Sequence, residues 1–321
     1  MHPAWSIIFF TSASGLGLGL AGWIVLGILD LSRFVHLLFV SGFTFGLIGA
    51  GLLSSTLHLG HPERAWRALS QWRSSWLSRE GVLALLVLAA LSAWFLFVFL
   101  GMTPPLWASA ALIALIIATV YATSMIYASL RTVACWHHPL TPVCYLMFSV
   151  SGGSLAFIWL SVAVNQPISD PFTYVAGGLI FAAWVVKFLW WRMLDTKKSN
   201  SSLASATGLS ALGKVKTLLP PHTSENYLQT EMGFVVARRH AVKLRVISVL
   251  LGCIIPLLGL YIMENSIVLL SAVLLSHLVG IFVERWLFFA EAKHVVSTYY
   301  TNITDETSRD ASAATSRPFT P

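Results

Sequence analysis

Charge is what this chain has least of. Only 10% of its 321 residues are Asp, Glu, Lys or Arg, while 56% are hydrophobic. A soluble domain carries about a quarter charged residues, so an ordinary water-soluble globule is excluded. Cysteine is nearly as scarce. Cys135, Cys144 and Cys253 form no CxxC pair and no ligand-like spacing, which argues against a disulfide scaffold and against cysteine-held metal. Nucleophile-elbow, P-loop and zinc signatures are missing, and no internal repeat is visible. The opening apolar stretch has neither a positive n-region nor an A-x-A-like cleavage site, so it is expected to be retained as a helix.

What fills the chain instead is apolar runs of near 20 residues, long enough to cross a bilayer as helices. Eight are read, over 5–29, 34–57, 81–101, 106–130, 143–164, 171–191, 246–263 and 267–290. Hydrocarbon offers the backbone no hydrogen-bond partner, so each span is expected to be helical. The fold class is therefore all-α: a polytopic bundle of eight transmembrane helices with both termini on one side. The anchor domain covers 1–300, with a Ser/Thr/Lys-rich loop at 196–231 inside it. A Ser/Thr/Ala-rich tail, 301–321, reads as disordered. In the first span Gly15 and Gly19 stand four apart, a GxxxG spacing that permits close helix packing.

One side of the bundle lacks positive charge almost completely. Of 20 Lys and Arg residues, only Arg33 falls in a thin-side loop. The other nineteen lie on or near the thick side, which holds the long 2–3, 4–5 and 6–7 connections; Lys187 and Arg285 are counted there because they sit near that end of their spans. By the positive-inside rule the thick side, with both termini, is cytoplasmic in a bacterial inner membrane. The same rule explains the net charge of +7 without nucleic acid, which is not an expected partner; the lipid bilayer is.

Polar residues cluster at the thick-side rim. The densest run is His58-Leu59-Gly60-His61-Pro62-Glu63-Arg64-Ala65-Trp66-Arg67, where Pro62 favours leaving the helix. A histidine there can exchange protons near neutral pH, while Trp66, Trp72 and Trp76 suit the interfacial belt. The plainer reading is an interfacial loop whose arginines meet lipid phosphates. Glu80 is placed in the first turn of the third span, where the helix dipole favours a carboxylate and it can cap the helix. Alternatively it forms a proton path with His58 on the neighbouring helix end. Tyr127 and Arg131, four apart, are expected to share a helical face, with Tyr121, Ser124 and Tyr127 turning hydroxyls inward. Those hydroxyls can bond a quinone carbonyl or simply satisfy neighbouring helices. His277 and Glu284, seven apart, lie on one face of the last span; Glu284, Arg285, Glu291 and Lys293 also read as an interfacial charge cluster. Haem needs two axial ligands facing each other at similar depth. The in-span histidines His36 and His277 are mismatched in depth, so no haem is expected. A haem b-bearing quinol oxidase subunit stays an alternative, as does a transporter, although broken spans and an inverted repeat are not evident.

The rim motif, the segment Leu77-Ser78-Arg79-Glu80, the stretch from Tyr127 to Pro142 and Arg285-Trp286-Leu287-Phe288-Phe289 resemble the DmsC-type membrane anchor family of dimethyl sulfoxide reductase. The opening Met1-His2-Pro3-Ala4-Trp5-Ser6-Ile7-Ile8-Phe9-Phe10-Thr11 resembles a SoeC-like branch that anchors cytoplasmic sulfite-oxidising enzymes. The resemblance implies a haem-free subunit that holds a four-cluster iron–sulfur subunit and a molybdopterin catalytic subunit at the membrane. It implies exchange of electrons and protons with quinone (menaquinone or ubiquinone) as bound substrate. It also implies that the family's quinol-interacting histidine is His58 and its quinol-linked glutamate is Glu80. Arg64, Arg67, Tyr127 and Arg131 are the accompanying pocket or docking residues, and no metal ligand is assigned to this chain. A cytoplasmic thick side suits the sulfite-oxidising branch; in the DmsC type proper the catalytic subunits are exported and the quinol site faces outward. Substrate and direction of electron flow stay open.

Overall fold

The computed structural model describes residues 5–56, 61–196, 203–209, 211, 213, 215, 240–262 and 266–296. Eight helices are long and apolar enough to cross a membrane: α1 (Trp5–Val25), α2 (Phe34–Thr56), α3 (Trp76–Phe99), α4 (Leu106–Ala128), α5 (Leu140–Ala163), α6 (Asp170–Thr196), α7 (Ala241–Tyr261) and α8 (Ile267–Ala290). Among the described residues no strand forms, and the one isolated bridge pairs Val133 with His294. Most of the expected 196–231 loop and all of the 301–321 tail lie outside the described residues; a five-residue helical turn, Leu203–Thr207, is the longest described piece of the former.

Burial sorts the spans. About 70% of α1 and of α5 is inside the bundle (67% and 72%), against 22–39% for the other six. The reason is composition. Both central helices are built from small residues, which let backbones approach closely where lipid supplies no hydrophobic drive. At their crossing, a Cβ on Gly19 would strike the Ser149 carbonyl, and one on Gly153 would strike the Gly19 backbone. The spacing Gly15–Gly19 therefore meets an equivalent pair, Ser149–Gly153, on α5. Gly15 contributes differently from Gly19: open space surrounds its Cβ position, and its carbonyl accepts from Ser149 Oγ at 2.6 Å. The outer helices turn Leu, Ile, Val and Phe side chains outward, where hydrocarbon replaces water.

Helix ends depart from the sequence expectation for local reasons. α1 stops four residues short of 29 because Gly27 turns left-handed (φ 73°) and its N–H returns to the Ile24 carbonyl, a glycine stop. α3 begins five residues early because Ser75 caps it, its hydroxyl accepting from Ser78 N–H. Rings of Trp5 and Phe282 stack at 5.9 Å, so the start of α1 and the last turns of α8 share the thick end.

The seventh span is not the uniform α-helix expected. Residues Leu250–Ile254 form a π turn, in which Ile255 N–H donates to the Leu250 carbonyl. Pro256 sits just beyond it. Proline has no N–H and its ring crowds the carbonyl four residues back, here Gly252. That freed carbonyl accepts from the Trp184 indole at 3.0 Å and meets His277 Nδ1 at 2.7 Å. Neighbouring helices thereby satisfy what the proline released.

Candidate functional site

The rim comes first in chain order. After α2 the chain runs at the thick end into a ten-residue 3-10 helix, Pro62–Gln71. Arg64 and Arg67 are exposed; the Arg67, Arg73 and Arg79 guanidinia lie over Trp66, Trp72 and Trp76, the last at 4.3 Å. Arg79 also donates to the Trp72 and Arg73 carbonyls, closing the turn into α3. His61 pairs with Glu63 at 3.0 Å, both exposed. His58, the histidine expected to act, lies outside the described residues.

Opposite this rim, the 4–5 connection is pinned to the end of α8. The Trp136 indole donates to the Phe288 carbonyl at 2.9 Å, and Val295 N–H donates to the Thr132 carbonyl at 2.9 Å. Cys135 is buried in this cap, and burial pushes its thiol up to about 11.

Below the rim lies Glu80, and two expectations change here. With α3 starting at Trp76, Glu80 stands in the second turn and does not cap the helix. It is also deeper than a first-turn position implies: 5% exposed, its carboxyl accepting from Thr123 Oγ1 of α4 at 2.6 Å. Tyr127 is buried in an aromatic cluster with Trp136, Tyr145, Phe288 and Phe289. Arg131 does not share its helical face, because α4 ends at Ala128 and Arg131 is exposed on the connection. Of the three hydroxyls expected inward, that of Tyr121 belongs to a residue 41% exposed, and Ser124 Oγ donates to its own helix at the Tyr121 carbonyl. Glu80 and Tyr127 are thus brought into one interior; Arg64, Arg67 and Arg131 stay on the surface.

The interior holds a constellation that sequence reading placed at the interface. Lys187, Glu284 and Arg285 are 1%, 0% and 2% exposed. Lys187 Nζ lies 2.6 Å from one Glu284 oxygen and Arg285 Nε 3.1 Å from the other. Lys187 also sits 3.7 Å from the Trp190 ring centre, and Arg285 3.9 Å from that of Tyr145. Taking these two cations from the nineteen leaves seventeen on the thick side against one, so the charge asymmetry survives. Next along, Arg245 pairs with Glu291 at 2.7 Å and with Asp195 at 2.6 Å. The available signal was that Glu284 and Arg285 sit six and five residues inside the end of α8, too deep for both to reach water.

A cavity of about 30 Å³ opens beside this group, between α1, α4, α5 and α8, lined by Ser12, Thr123, Tyr145, His277 and Arg285 among others. His277 Nδ1 meets a carbonyl, which can only accept, so the ring proton is on Nδ1 and Nε2 is left as an acceptor. His36 is held elsewhere, 3.2 Å from Gln166. It lies two residues into α2 from the thin side and His277 ten residues into α8, about 3 Å against about 15 Å of depth. That geometry sets the two histidines apart as a haem pair. Among the described residues no three of His, Cys, Asp and Glu gather as a metal site.

Eight apolar helices, a basic aromatic rim at one end and an ionisable row beneath it define a multi-pass membrane subunit. The family profile of the DMSO reductase anchor subunit (DmsC) matches residues 1–290, and the chain belongs to that family. The C-type subunit of sulfite dehydrogenase from Allochromatium vinosum is 30% identical, over 94% of this chain and all of that protein. YnfH, a component of an anaerobic dimethyl sulfoxide reductase of Escherichia coli, is 29% identical over 56% of this chain and 63% of its own length. The C component of the anaerobic dimethyl sulfoxide reductase of the same organism is 29% identical over 36% and 42%. Anchor subunits of such complexes work with catalytic and iron–sulfur partner subunits.

Proposed function

We propose that this chain anchors a molybdopterin oxidoreductase at the bacterial inner membrane and exchanges electrons and protons between the quinone pool and a four-cluster iron–sulfur partner. The observation that carries this reading is the family match across residues 1–290. The end-to-end similarity to a sulfite dehydrogenase subunit favours sulfite as the external reductant, with quinone the acceptor, and the thick side cytoplasmic beside its partners.

The quinone belongs at the rim. The interior cavity, at about 30 Å³, holds about two waters and no quinone ring. His58 hydrogen-bonds a quinone oxygen and exchanges its proton. Glu80, on the adjacent span and buried against Thr123, is the carboxyl that passes protons onward. Tyr127 walls the interior, while Arg64, Arg67 and Arg131 present charge to the iron–sulfur subunit. Electrons hop between quinone and the nearest partner cluster. Quinone reduction takes two electrons from that cluster and two protons through these groups; quinol oxidation reverses both.

The test is purification with partner subunits, then assay of the complex with sulfite and with dimethyl sulfoxide. In that complex His58→Ala and Glu80→Gln are expected to slow quinone-coupled turnover by about tenfold or more, with activity towards an artificial dye near normal. Equal loss of both activities, or no partner co-purifying, overturns the reading.

A further inference from the structure

Glu80 poses a problem that the rim does not solve. Its carboxyl is 5% exposed, yet a group that exchanges protons with quinone needs a route to water. The surroundings on its inner side offer one. Thr123, which donates to Glu80, also lines the cavity. Three other lining residues carry buried polar atoms with no hydrogen-bond partner: Ser12 Oγ, Tyr145 OH and His277 Nε2. Buried polar atoms are rarely left so, and a polar cavity with room for about two waters supplies what they lack. Tyr145 lies within electrostatic reach of Glu80 on one side and of Glu284 and Arg285 on the other.

From there the row continues outward. Glu284 meets Lys187 at 2.6 Å, and Lys187 is within electrostatic reach of Glu291. Glu291 meets Arg245, which bridges to Asp195, a side chain 58% exposed. We infer that the cavity and this row form a proton conduit joining Glu80 to thick-side water at Glu291 and Asp195. The inference rests on the reading of Glu80 given above.

The chemistry balances as a relay. For each proton that leaves the Glu80 carboxyl for a quinone oxygen, one enters at Glu291 and every intervening hydrogen bond shifts one place, so no net charge stays in the row. Quinol oxidation runs the relay backward. Lys187 and Glu284 suit the role because burial offsets much of the Coulomb gain of an ion pair, so its neutral form is less disfavoured than in water. Arg285 cannot release its proton; protons pass it through the cavity waters and the Tyr145 hydroxyl. Burial raises the Glu291 carboxyl above its ordinary range, against the pull of Arg245 and Lys187, so the mouth holds a proton more readily than an exposed glutamate.

The test uses the assembled complex, assayed with quinone and with dye, in light and heavy water. Tyr145→Phe removes only the unpartnered hydroxyl and keeps the ring beneath Arg285; Glu291→Gln removes the carrier at the mouth. Each is expected to lower quinone-coupled kcat by about tenfold, to enlarge the solvent isotope effect, and to leave quinone KM and the dye rate in place. Wild-type quinone turnover in both, with Glu80→Gln still slow, sinks the conduit and spares the proposed function. Wild-type turnover in Glu80→Gln sinks the role of Glu80 itself. Loss of assembly in Glu284→Gln with normal Tyr145→Phe turnover makes the row a structural lock, and overturns the inference.

Discussion

The rim and the interior row use the same residue types under opposite conditions. At the rim, Arg64 lies 3.7 Å from Glu63 with both side chains about 60% exposed (59% and 62%); water solvates both, and such a pair contributes about 0–1 kcal/mol. Inside, Lys187 and Glu284 are sealed from water, so each is committed to the other. Removing one strands its partner at a cost of several kcal/mol. A charge at the rim is thus free to meet lipid phosphate or a partner subunit, whereas a charge in the row has no alternative partner and serves whatever the row does.

That contrast can be broken at graded cost. The largest effect is expected where no charge is involved. Gly19→Ala forces a Cβ into the Ser149 carbonyl, where neither backbone can yield. It should destabilise by about 3 kcal/mol or more and abolish membrane accumulation, while Gly15→Ala accumulates normally. Matching levels of the two variants in isolated membranes would refute the α1–α5 crossing as the centre of the bundle. Lys187→Met comes next, with an expected loss of about 3–5 kcal/mol and a lower Tm in detergent. Arg64→Gln should stay within about 0.5 kcal/mol, so equal Tm values for these two would erase the distinction between rim and row. Smallest is the thiol at the cap. Burial holds Cys135 protonated until the pH nears about 11, and the thiolate is the reactive form. At pH 8 about one thiol in a thousand is ionised. With Cys144 and Cys253 replaced by Ser, maleimide labelling should be negligible at pH 8 and rise only as pH climbs or the protein unfolds. Rapid labelling at pH 8 would show that the cap is open.

Much of the fold was legible because a bilayer imposes simple rules on a chain. Span number and thick-side bias follow from run length and Lys/Arg placement, and α2, α4 and α8 begin at the residues expected from hydropathy. The π turn was written in the sequence as Pro256 four residues after Gly252, but a proline alone does not say whether a helix kinks, stops or widens; His277 and Trp184 on neighbouring spans decide that by taking up the freed carbonyl. The candidate site divided the same way. Glu80 stood out as an ionisable residue near a span end. Its burial against Thr123 did not, since nothing local to residue 80 reports on residue 123.

The sequence by itself determined the class of this protein: eight apolar runs and one-sided positive charge leave few arrangements in which backbone hydrogen bonds and cations are all satisfied. Only the tertiary structure decided which charges face water and which face one another. Lys187, Glu284, Tyr145 and Glu80 come from four separate helices, and their meeting depends on how closely the small-residue faces of α1 and α5 draw the bundle together.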